Sequence, residues 1–176
     1  MAKSHAEIEG IAGKMLEEAG IQPCFKPSVP KLVAAAGLKV ALATDLQDSI
    51  LSTLLLRPSE EDKLEKRQDN VIFVNANKND KEQRFSIAYQ VAAYMLNKDG
   101  TERFEKRLTS REVDVKDDIL RLAYALLMND KLFTDKFNKA MKGIPNKVAI
   151  CKNLGSQFGV PQYAVEQRAA ELDLSF

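Results

Sequence analysis

Apolar positions recur along the first twenty residues at three- and four-residue steps: Ile8, Ile11, Ala12, Met15, Leu16 and Ala19. That period places them on one face of a helix. Ser4 is placed to cap its first turn, with Glu7 three residues on as capping-box partner, and Gly20 is the natural stop. Pro23, Pro27 and Pro30 mark an extended connection, followed by a short helix from Ser28 to Ala36 closed by Gly37. The pattern then shortens. Leu38 to Leu42 alternates, Ile50 to Leu56 is a second strand candidate, and Val71-Ile72-Phe73-Val74-Asn75 is the clearest strand in the chain. Between the last two, Pro58 to Asn70 is almost wholly polar and is expected to be a solvated loop or hairpin end.

From Asp80 the period returns to that of a helix. Phe85, Ala88, Ala92, Met95 and Leu96 share a face of a segment running to Asn97, which Asp99-Gly100 ends. Thr101 to Asp114 is charged and is expected to be irregular. Asp117 to Met128 and Leu132 to Met141 predict two more helices, and Lys147 to Leu172 predicts helix, turn, helix, with Pro161 opening the last. A helix, three strands and then helices give an α+β expectation: a small three-stranded sheet packed by helices, with a helical C-terminal section. The expected division is a domain over residues 1–143 and a helix-turn-helix-like segment over 144–176 packed on it.

Composition narrows the function classes. The chain has 176 residues, enough for one ordinary domain. Its net charge of +1, absence of Trp and low aromatic content (7%) argue against nucleic-acid binding by bulk electrostatics or by stacking. Cys24 and Cys151 are far apart and form no Cys-x-x-Cys pair, so two reduced thiols in a cytoplasmic protein are expected. No apolar run suggests a signal peptide or a membrane span.

The stretch Val71 to Asn75, followed by Gln83-Arg84-Phe85-Ser86-Ile87-Ala88-Tyr89-Gln90-Val91-Ala92-Ala93-Tyr94-Met95-Leu96, resembles the ImmA/IrrE metallopeptidase family. In that family a strand and short loop precede Arg-Phe-Thr-Leu-Ala-His-Glu-Leu-Gly-His. Glu17 to Ile21, Gly37 to Val40, Leu122 to Met128 and the tail from Leu154 to Leu172 are similar to family segments in the same order. The resemblance implies a minimal zincin-like peptidase fold. It also implies a zinc held by two His one helical turn apart, with a Glu activating its water. Here the three positions are Tyr89, Gln90 and Ala93. Alanine has no ligand atom, glutamine has no titratable carboxylate, and a phenol is protonated near neutrality. The family's third, acidic ligand falls near Asp117 and Asp118, which otherwise read as favourable charge at a helix N-terminus. His5, the lone histidine, lies far off in sequence and is expected to be solvated.

The sequence therefore predicts no catalysis and no cofactor. The expected function is a non-catalytic pseudo-peptidase whose groove between sheet edge and helix, near Tyr89, Gln90, Ala93, Tyr94, Asp117 and Asp118, binds a protein. A peptidase takes its substrate as an added strand, which needs no zinc. Family members act on repressors and regulators of phages and mobile elements, so the resemblance implies a repressor-type partner. The alternative is a DNA-binding regulator using the C-terminal helices, where Gln162, Gln167 and Arg168 are the candidate contacts. From Lys147 onward the basic residues Lys147, Lys152 and Arg168 are matched by Glu166, Glu171 and Asp173. An enzyme with unrelated chemistry is the third reading, and no nucleophile–base pair is visible for it.

Overall fold

A computed structural model describes residues 2–65, 67–110 and 117–176. Within them the elements run α1 (His5–Glu18), α2 (Val29–Ala35), β1 (Lys39–Ala43), β2 (Ile50–Leu56), α3 (Glu60–Leu64), β3 (Val71–Asn75), α4 (Asp80–Asn97), β4 (Phe104–Thr109), α5 (Asp118–Leu127), α6 (Asp130–Gly143), α7 (Lys147–Phe158) and α8 (Gln162–Glu171). The class is α+β, compatible with a minimal zincin-like fold. Ser4 and Glu7 form the capping box of α1, and Gly20 carries φ +63° just past its end, where a Cβ would be strained.

The sheet has four strands rather than three, in the order β1-β3-β2-β4, with β1 parallel to β3 and the other pairs antiparallel. The additional strand, β4, lies in the stretch expected to be irregular. Its sequence, Phe104-Glu-Lys-Arg-Leu-Thr, offers only Phe104 and Leu108 to the core, so alternation is too sparse to reveal a strand. The remainder of that stretch from residue 111 lies outside the described residues.

A second departure is the polar run after Pro58. It contains the one-turn helix α3, capped by Ser59, and its Asp62 is buried. Arg67 and Arg103 both reach that carboxylate. The run is thus partly an ion-pair lid on the sheet's outer face, not a solvated loop.

Layering follows from burial. α4 lies against β2, β3 and β4 and turns its other side to α5. Nearly every residue of α5 from Leu120 to Leu127 is buried, as expected of a helix surrounded on all sides by α4, α1 and α8. Ile150, Leu154, Phe158, Val160, Ala164 and Ala169 join the same core cluster, so the C-terminal helices share one interior with the rest. The α7–α8 turn is close enough that a Cβ on Gly155 would sit 2.8 Å from the Val160 carbonyl oxygen, which requires glycine there. Pro161 stands one residue before α8, in extended backbone.

Candidate functional site

α4 is the element on which the chemistry turns. Asn79 caps it, its side chain accepting from the amides of Lys81 and Glu82. The middle turn carries Tyr89, Gln90 and Ala93, all buried, with Gln90 and Ala93 fully so. The Gln90 amide donates to Ser52 Oγ at 2.9 Å and to the Lys106 carbonyl at 3.4 Å. The Ser52 hydroxyl in turn donates to the Ser86 carbonyl at 3.3 Å. Gln90 therefore ties α4 to β2 and β4, and its Oε1 remains buried without a hydrogen-bond partner. The ammonium of Lys106 lies 5.8 Å from the Tyr89 ring centroid. Tyr94 is half-buried.

The acidic pair lies at the start of α5 and has other work. Asp117 is the N-cap, its carboxylate accepting from the Leu120 amide at 2.6 Å. Asp118 accepts from the Lys3 amide and from Arg121 Nη1, both at 2.9 Å, so it faces the N-terminal segment. His5 is half-exposed rather than solvated, with Nε2 3.4 Å from Asp130 and Nδ1 3.8 Å from Glu171. Zinc does not fit here: the α4 positions supply a phenol, an amide and a methyl group, and Asp118 is engaged by a cation. Among the described residues no group of three His, Cys, Asp or Glu is placed to hold a metal.

Open space lies elsewhere, beside the first two turns of the same helix. A groove of about 760 Å³ runs between α2, β1 and α4. Val29, Val33 and Leu38 give it an apolar wall, and α4 contributes the stripe Asp80, Gln83, Arg84 and Ile87. None of the six residues expected at a binding groove lines it. Arg84 Nη2 donates to the Pro27 carbonyl at 2.6 Å, and its Nε is buried with no partner. No carboxylate pairs with Arg84 among the described residues, and loss of water pulls its pKa down from the ordinary arginine value.

The outer face of the sheet shows the opposite electrostatics. Glu105 is contacted by Arg67, Arg103 and Arg107 within 2.9 Å. Burial pushes its carboxyl up, but the three guanidinium hydrogen bonds outweigh that and hold it at about 2. Asp62 is held well below the usual carboxylate range, chiefly by Arg103.

At the C-terminus Arg168 is fully buried: Nε donates to the Met128 carbonyl, Nη1 to Glu171 and Nη2 to Glu9. It clamps α8 to α1 and α5, so this expected base-reading side chain is out of reach of DNA.

The family model described as the IrrE N-terminal-like domain, a peptidase family, matches residues 49–170, a span that runs through α4 and both C-terminal helices. No curated protein matches the chain.

Proposed function

The chain belongs to the IrrE N-terminal-like peptidase family, and from that premise we propose that it is a non-catalytic member that works by binding another protein. The observation that carries this reading is the state of the α4 middle turn. Tyr89, Gln90 and Ala93 offer at best a neutral phenol and a neutral amide, and they are built into the interior, with Gln90 hydrogen-bonded to β2 and β4. Hydrolysis by this family's chemistry needs a metal-bound water with access to a peptide carbonyl. A buried amide whose donor groups are already committed supplies neither.

The fold, compatible with a minimal zincin-like one, offers a sheet edge, a helix and an open groove beside them. The partner we propose is a repressor-type regulator, bound and left uncut. The DNA alternative loses its main contact with the burial of Arg168, and would have to rest instead on the lysines of α6 and α7.

The test is co-expression with a repressor-type regulator encoded beside this chain. The expected result is a stable complex in which intact-mass measurement finds the regulator full length. Fragments of the regulator, or no complex together with a salt-sensitive shift of a DNA fragment, would overturn the reading.

A further inference from the structure

The two edges of the sheet are defended very differently. β4 carries Glu105, Lys106 and Arg107, and charged side chains are a standard way to keep an edge from recruiting another strand. β1 carries Val40 and Leu42, 41% and 66% exposed, with Lys39 its only charged residue.

Register shows what that edge offers. In the parallel ladder with β3, the Lys39 amide donates to the Asn70 carbonyl, and the Ala43 carbonyl accepts from the Ala76 amide. Residues 39, 41 and 43 therefore spend their main-chain groups on β3, and the N–H and C=O of Val40 and Leu42 point away from the sheet. Ser52 reaches Gln90 and Ser86 on α4, so its register partner Val74, and Leu42 beyond it, face the helical side. Val40 shares that face and itself lines the groove. A strand added to β1 would alternate: every second side chain would enter the apolar space against Val29, Val33 and Ile87.

The polar lining decides what such a strand must carry. On the α4 side of the groove Arg84 is opposed only by Asp80, and no carboxylate pairs with Arg84 among the described residues.

We propose that the β1 edge and its groove bind an extended segment of a partner protein by strand addition, the segment bearing apolar residues at every second position and a carboxylate that pairs with Arg84. This deepens the binding reading above and rests on it. It places the contact at the edge remote from Gln90, whose own contacts are with β2 and β4. A free apolar acid would satisfy the groove and Arg84 but would leave the Val40 and Leu42 main chain unpaired.

The test uses the full chain, backbone-amide NMR and a capped six-residue peptide that alternates threonine and valine and ends in glutamate, beside its glutamine counterpart. The expected result is saturable shifts at the Val40 and Leu42 amides. Binding of the glutamine peptide should be weaker by about threefold or more, the range for a partly exposed charge pair, and Arg84→Gln should erase that difference. Val40→Pro removes an outward N–H without touching the β3 ladder, and should abolish binding. Leu42→Lys, a surface change, should do the same if the proline variant does not fold.

Absence of binding at millimolar peptide, shifts confined to β4, or unchanged affinity in both β1 variants would overturn the proposal. So would decanoate binding at the same residues where the peptide does not. Mass measurement of the recovered peptide separates the two readings: cleavage would sink the non-catalytic reading alone.

Discussion

Asp80, Gln83, Arg84 and Ile87 form a stripe on α4 that faces open space; Tyr89, Gln90 and Ala93, one turn further on, are sealed. Both stretches belong to one helix of one fold, so the difference is not one of scaffold. The middle turn is filled: a phenol ring packs inward, and the Gln90 amide donates hydrogen bonds to Ser52 on β2 and to the Lys106 carbonyl on β4. In the first turns there remain an apolar wall and a guanidinium that reaches the Pro27 carbonyl but pairs with no carboxylate among the described residues. The place of a motif in the chain therefore does not by itself say where a groove opens. Close packing in a protein interior leaves no room for a relic pocket unless something continues to hold it open.

Variants can break this comparison, and the largest effect is expected at Tyr89. Tyr89→Ala removes a buried ring and should cost about 3–5 kcal/mol in urea unfolding. A cost under 1 kcal/mol would mean the middle turn is not packed as described. Arg168→Ala should cost less, about 3 kcal/mol, by leaving Glu9 without its cation while Glu171 keeps Arg121.

Gln90→Glu sharpens the contrast by placing a carboxylate in a sealed position. The new acid should have a pKa raised by burial, so its penalty, on the order of 2 kcal/mol, is absent below the ordinary carboxylate pKa and grows as pH rises. A loss of stability that does not depend on pH would contradict that burial. On the outer face the sign reverses. Glu105, held at about 2 in the fold, stabilises the protein above the ordinary carboxylate pKa, and that contribution is lost as pH falls from about 4.5 toward 2. Glu105→Gln should flatten this part of the stability profile by roughly 1 kcal/mol after solvent screening. The smallest effect is expected at the open groove: Leu42→Lys should leave unfolding within about 0.5 kcal/mol, because the side chain is exposed already.

The helices other than the one-turn α3 were legible because periodicity and caps are local. Ser4 with Glu7, the Phe85–Ala88–Ala92 face and the strand Val71–Asn75 could each be read from a few neighbouring residues. β4 was not, since a charged edge strand buries little and is fixed by β2, some fifty residues earlier in the chain. Asp62 was hidden in a run of charge because its arginine partner Arg103 is remote in sequence. Tyr89, Gln90 and Ala93 were matched to the family's zinc motif by resemblance of order alone, and whether they line a groove or the interior depends on how α4 sits on β2 and β4. Val40, Leu42 and Arg84 gave one weak signal, a short alternating strand beside a proline-rich connection. That β1 is an edge, and that α2 stands off from it, comes only from the assembled sheet.

The central question is whether the α4 middle turn can hold a metal. Elemental analysis of the chain purified without chelators, after incubation with zinc and gel filtration, measures this directly. The predicted result is zinc far below one ion per chain, with an unfolded protein substrate left uncut by the same sample. One zinc per chain, removed by a chelator together with cleavage of that substrate, would contradict it.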